Sequence, residues 1–196
     1  MIDSVQIFNI RKAMKNISKN QKKVGKSYRT AAKVEGYRLR RALMRDLARG
    51  RAGNESFGQL TTIGRYWSDR SKRRKPLAAL ARAVTYSAKG GYNGEKFELA
   101  VGFTDRTGTA WRRIAMFQQR GGRVKITSST RRSLKRVGAG FSKRSRLRKY
   151  FFLRKTTTTF KVPARPIIEP FWRVHEDEAW RNIRKNFRKK MKGQRI

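Results

Sequence analysis

The chain reads as an α+β protein, with an antiparallel sheet packed by a long N-terminal helix and a C-terminal helix, and carrying an extended basic arm. Three observations lead there. Apolar residues recur at helical spacing from Ile7 onward, aromatic and β-branched residues cluster in short runs near residues 84–103 and 156–162, and basic residues crowd 131–155 without a single acid. At 196 residues the length suits one core, so the reading is a single domain over 1–196. Within it, 1–50 form a basic helical region, 51–127 and 156–192 the α/β core, and 128–155 a basic arm or long hairpin insert.

The first helix rests on Ile7, Ile10, Met14, Ile17, Gln21, Val24, Tyr28 and Ala31, which step by alternate threes and fours as a heptad seam does. The stripe then drifts to Leu39, Leu43 and Leu47, and Gly25 and Gly36 are weak points, so a bend or two segments are expected within about 4–49. Residues 50–75 are rich in Gly and polar side chains and read as a loop. Pro76 suits the first turn of a short helix whose face is Leu77, Leu80 and Val84. Val84–Ser87 and Lys96–Phe103, joined by Gly90–Gly94, form the pattern of a hairpin with Phe97, Leu99, Val101 and Phe103 on its buried side.

A further helix spans Ala110–Gln119, with Trp111, Ile114 and Ala115 near one face and Gly121 placed to end it through a left-handed cap. Arg123–Thr127, Tyr150–Leu153 and Thr156–Val162 read as strands. Between them, Arg131–Lys155 holds eleven Lys and Arg in 25 positions. Like-charge repulsion and few aliphatic residues predict that this stretch stays an arm until an anion orders it. Two prolines at Pro163 and Pro166 stiffen the turn into the last helix, whose acids gather early and whose bases gather late, as the helix dipole favours. Its packed face is read as Trp180, Ile183, Phe187 and Met191.

Charge bounds the function. The 52 Lys and Arg against 12 Asp and Glu give +40, which calls for a polyanionic neighbour: nucleic acid, an acidic protein or an anionic membrane. Apolar and aromatic content is too high for a wholly disordered tail. Absence of Cys excludes disulfides, thiolate metal sites and cysteine nucleophiles. The N-terminus lacks an apolar stretch of signal-peptide length and no run approaches the ~18 apolar residues of a membrane span, which predicts a protein made and used in cytoplasm-like conditions, without a membrane partner.

No catalytic constellation emerges. His175, the only histidine, lies beside Glu176, Asp177 and Glu178, but general acid–base or metal chemistry needs further convergent groups, and no second histidine exists to supply one. The acids there read as helix N-terminal stabilisers. The glycine clusters lack the lysine–hydroxyl ending of a phosphate loop. Catalytic, cofactor and metal residues are therefore expected to be none. Candidate contacts to a partner or to DNA are Arg131, Arg132, Lys135, Arg136, Lys143, Arg144, Arg146, Arg148 and Lys149. The run Arg148–Arg154, with its interleaved aromatics, suits either a phosphate clamp or a subunit interface.

Taken in order, Pro76–Val84, Leu99–Phe103, Ala115–Gly122 and Val162–Ile168, followed by a closing helix, resemble the tail-completion, or virion-morphogenesis, proteins of tailed phages. In that family a "VG" strand end, a "YA…HQFG" helix and an "iPARPFL" segment occur in this order. Pro163, Ala164, Arg165 and Pro166 carry the sharpest likeness, whereas Met116–Gly121 departs from the family pattern and the basic insert is longer. The resemblance implies a virion protein of tail or neck, made in the host cytoplasm, that assembles as a homo-oligomeric ring, taken as a hexamer, against the tail tube and head-connector or other neck proteins. The packaged DNA would pass its lumen, and Arg165 would sit at an interface or turn. The other reading is a nucleic-acid-binding protein of ribosomal or nucleoid type, which explains the charge but not the hairpin or the tryptophans.

Overall fold

An uninterrupted helix, α1 (Ile10–Arg49), opens the described chain. The computed structural model describes residues 10–57, 77–89, 97–146 and 148–196. The start of the heptad seam, the loop over 58–75, Pro76 and the turn Gly90–Gly94 lie outside them. In chain order follow β1 (Arg51–Ala52), β2 (Glu55–Ser56), a 3-10 segment (Ala78–Ala83), β3 (Thr85–Lys89), β4 (Glu98–Gly102), α2 (Thr109–Arg120), β5 (Gly122–Lys125), α3 (Ser128–Ala139), a short turn of helix α4 (Arg148–Phe151), β6 (Thr159–Val162) and α5 (Ile168–Met191). The α+β class of the sequence reading is what the chain adopts. Among the described residues, however, the strands form three separate antiparallel ladders rather than one sheet: β1–β2, β3–β4 and β5–β6.

Two compact units share the two long helices, one built from 1–40, 85–106 and 175–196, the other from 41–84 and 107–174. Their limits do not follow the sequence boundaries at 50, 127 and 155.

In the first unit, α1 packs from Ser27 onward. The preceding positions 18–24 are exposed, Val24 at 41% among them, so this stretch of the expected seam is not a packed face. Buried contacts step through Ser27, Ala31, Ala32, Glu35, Gly36 and Leu39. Neither expected weak point interrupts the helix, and at Gly36 the reason is packing. A Cβ there would stand 2.7 Å from Tyr86 Cδ2 and 2.8 Å from Leu99 Cδ1, so the missing side chain is what lets the β3–β4 hairpin lie on the helix. The hairpin pairs Thr85 with Gly102 through Lys89 with Glu98. Phe97, Leu99, Val101 and Phe103 are half-buried rather than enclosed, as befits a two-stranded ribbon covered on one side. Tyr28 meets Phe97 and Phe187 edge to face, with ring centroids at 5.3 and 5.7 Å.

On α5 the buried line is Ala179 and Ile183, and Trp180, expected on the packed face, is 44% exposed. One residue is a rotation of about 100° on a helix, enough to carry a side chain from the core edge to solvent. Phe187 and Met191 are half-buried.

The second unit closes around Leu43, Leu47, Ala52, Leu80, Val84, Ala115, Ile126, Leu134, Phe151, Ile167 and Phe171. Asp46 fastens the end of α1 to the β1–β2 turn, since its carboxylate accepts from Gly53 N at 3.0 Å and Arg51 Nε at 3.3 Å. Thr107 Oγ1 donates to Ala83 O at 3.0 Å and ties α2 to the 3-10 segment. Residues 128–155 require a correction. They carry α3 and α4 in place of an arm or hairpin, and Tyr150–Leu153 is not a strand. Thr127 caps α3 by accepting from Thr130 N at 3.1 Å, and Leu134 and Phe151 are buried. Magnitudes explain the outcome. Like charges one helical turn apart cost roughly 0.2–0.5 kcal/mol per pair, whereas burying one Phe or Leu contributes roughly 1.5–3 kcal/mol.

Candidate functional site: an arginine clasp and two cationic faces

In the second unit, α2 and the segment before α5 are held together by a set of side chains that lie far apart in the sequence. Arg165 is 7% exposed. Its Nη1 donates to Gln118 Oε1 at 3.0 Å, its backbone N donates to Gln118 O at 2.8 Å, and Ile168 N donates to Gln119 Oε1 at 3.4 Å. The extended β6 leads into Pro163 and Pro166, whose rings fix the backbone so that Arg165 turns inward. Gly121 ends α2 where the sequence predicts, but with φ +68° and ψ −173° it does not form the expected left-handed cap; it passes so close to the Pro163–Pro166 run that a Cβ would stand 2.7 Å from Ala164 N. The clasp thus depends on a residue that combines a positive φ with the absence of a side chain.

Arg165 Nε has no hydrogen-bond partner, and no carboxylate pairs with this guanidinium among the described residues. A buried guanidinium held by an amide instead of an acid is a costly arrangement, which sets Arg165 apart from the surface arginines. Of the four residues of this run, Pro163, Ala164 and Pro166 are exposed and only Arg165 is enclosed.

The candidate contacts divide. Arg131 points inward: Nη1 donates to Leu153 O at 3.2 Å and Arg154 O at 2.9 Å, and Nη2 to Thr157 O at 2.8 Å. Its fork of donors staples the chain that leaves α4 to the face of α3. Arg148 lies over the Phe152 ring at 5.1 Å and Lys149 over Tyr150 at 5.3 Å, so both carry aromatic contacts of the cation–π kind. Arg132, Lys135 and Arg136 are exposed on α3, and Lys143, Arg144 and Arg146 on the chain between α3 and α4. Arg132, Lys135 and Arg136, at i, i+3 and i+4, form a cationic face of α3, and Arg131 braces the same helix through its bonds to the carbonyls beyond α4.

A second cationic face was read from sequence only as dipole compensation. In the first unit, Arg181, Arg184, Lys185, Arg188, Lys189 and Lys192 line an open concavity of about 420 Å³ with Gln194. The alternation i, i+3, i+4, i+7, i+8, i+11 is the signal that finds it, because it places all six on one side of α5. His175, by contrast, is half-buried, with Nδ1 3.8 Å from Glu178 Oε2, a carboxylate already engaged by Arg38 at 3.0 Å. Burial pulls the Arg38 guanidinium toward the neutral form, but its hydrogen bond to Glu35 and the charges of Glu35 and Glu178 outweigh this, and its pKa is raised. Of the acids beside His175, Glu178 therefore serves an ion-pair network within the unit, and since α5 begins at Ile168 these acids lie about two turns in rather than at the helix N-terminus expected from sequence.

What the geometry defines is a cationic α+β scaffold with one buried polar clasp. In comparisons with known proteins, no family model, no curated protein and no solved structure matches this chain. No helix among the described residues is long and apolar enough to cross a membrane.

Proposed function

We propose that this protein is a structural virion protein of a tailed phage, a tail-completion, tail-terminator or neck subunit that acts by assembling as a ring between tail and head. The observation that carries the reading is the clasp. The segments Ala115–Gly122 and Val162–Ile168, which bear the resemblance, meet through Arg165 and Gln118, 47 residues apart. A chance string of residues has no reason to be joined to its companion motif. Solvent-facing Trp111 and Ile114, one turn apart on α2 and 41% and 46% exposed, add an apolar surface on the helix that carries Gln118, of the kind that subunit contacts cover. The mechanism is mechanical: a closed ring ends polymerisation of the tube and presents a surface to the connector.

Mass measured by light scattering across a salt series, with negative-stain microscopy and with tail tubes added, tests this. A closed ring, alone or on tube ends, is the expected result. A monomer that coats nucleic acid, leaves it at moderate salt and ignores tubes would replace this reading with that of a nucleic-acid-binding protein, which the +40 charge also favours.

A further inference from the structure

From the cationic face of α5 we infer a binding site for the phosphodiester backbone of nucleic acid. The six cations run from Arg181 to Lys192, eleven steps along the helix and a line about 16 Å long at 1.5 Å per residue. All six are exposed, and none is ion-paired among the described residues. They lie opposite the buried Ala179 and Ile183, so packing of the unit leaves the whole line free. Beyond Glu178 the chain contains no acid.

The end of the helix shapes the site. Gly193, with φ +80°, stops α5: Gln194 N donates to Lys189 O and Gly193 N to Lys190 O, each at 3.0 Å. This closing turn folds Gln194 back against the cations, so that the concavity has an amide at one end and guanidinium and ammonium groups along its length.

Two occupants suit a row of positive charge, a phosphate backbone and an acidic protein surface, and the lining separates them. A stable protein interface needs apolar or aromatic anchors at its centre and is depleted in lysine. This concavity has no apolar residue in its lining, and half of its cations are lysines. Phosphate contacts, in contrast, come from Lys and Arg with backbone and amide donors, and require no anchor. The duplex places a charge about every 1.7 Å of its axis, so a 16 Å line of cations meets a phosphate wherever it lands. Binding is therefore independent of sequence. The inference stands apart from ring assembly, since a chain that forms no ring would still present this face.

The test measures fluorescence anisotropy of the full chain with a short labelled duplex of arbitrary sequence, a single strand and an RNA hairpin, each across a salt series, with polyglutamate as competitor. Substituting R181Q, R184Q and R188Q together is expected to lower the slope of log affinity against log salt by roughly 2–3, since each phosphate contact contributes about 0.9. Replacing the equally exposed K19Q, K22Q and K23Q removes the same charge elsewhere and is expected to change the slope by well under half as much. The charge-keeping set R181K, R184K and R188K retains the slope and guards against a folding defect. Equal losses from both glutamine sets would overturn the site in favour of diffuse net charge. Polyglutamate that competes as well as the duplex would assign the face to an acidic protein. Ranking of duplex, single strand and RNA identifies which phosphate backbone it prefers.

Discussion

Gly36 shows how much one absent methyl group decides. An alanine would gain up to about 1 kcal/mol in helix propensity, but its Cβ would meet the Tyr86 ring at 2.7 Å and Leu99 at 2.8 Å. Overpacking of this kind costs roughly 1–3 kcal/mol, and a ring fixed in a hairpin yields less than a flexible side-chain end. Gly36→Ala is therefore expected to lower the melting temperature, and a higher one would show that the hairpin moves aside. On the same hairpin Lys89 donates to Asp105, and that hydrogen bond holds the Asp105 carboxyl below its ordinary value and the Lys89 ammonium above its own. A carboxyl with a depressed folded pKa stabilises above its unfolded pKa and loses that contribution as pH falls through the folded one. Asp105→Asn should thus be slightly less stable than wild type at neutral pH, and the two should converge in acid below the usual carboxylate range. Because both groups are solvent-exposed, the difference is small and salt-sensitive. Urea midpoints at neutral and acidic pH read it.

The clasp and the Arg131 staple belong to the scale of elements, since each joins two segments that sequence separates. Arg131 supplies three hydrogen bonds to carbonyls of Leu153, Arg154 and Thr157. Hydrogen bonds from charged donors contribute about 1.5–3 kcal/mol each when partners would otherwise be buried unmade, and partial exposure here reduces that. Arg131→Ala is expected to speed amide exchange across 153–158 while exchange in β3–β4 is unchanged; uniform acceleration would mean that the staple is part of global stability instead. For the clasp, a double-mutant cycle with Arg165→Ala and Gln118→Ala should give a coupling of roughly 1–3 kcal/mol. Additive losses would show that each residue packs without depending on the other. Arg165→Lys should not rescue, because an ammonium cannot reproduce the planar fork.

At the scale of the whole molecule, +40 dominates. Self-repulsion of the folded chain is relieved by screening, and the Debye length falls from about 30 Å at 0.01 M salt to about 10 Å at 0.1 M. Raising salt over that range is expected to raise the melting temperature, because repulsion among like charges outweighs the few attractive pairs. A fall would mean that ion pairs such as Arg38 with Glu35 and Glu178 govern stability. The same charge makes ring closure dependent on anions, so proposed rings should form more readily as salt increases or when an acidic partner is added, which light scattering reads directly.

Sequence by itself determined the class, the two long helices, the β3–β4 hairpin, the end of α2 at Gly121 and the cationic character, because each of these follows from local periodicity, turn chemistry or composition. It could not determine which face each helix buries. Trp180 and Val24 lie in apolar patterns as good as their neighbours, and only the partners available at each turn leave them exposed. Nor could it foresee that residues 128–151 fold. Charge counting registers repulsion along the chain, while the compensating burial of Leu134 and Phe151 exists only once α3 and α4 fold together, where Phe151 meets Gly138 and the Phe141 ring. The same holds for the candidate sites. The basic residues of 131–149 were visible as composition and those of α5 as a helical repeat, yet tertiary structure turned Arg131 inward to bind carbonyls and buried Arg165 against Gln118. Local preference acts over a few residues; packing acts over the whole chain, and it is packing that decides which charge is a strut and which is a surface.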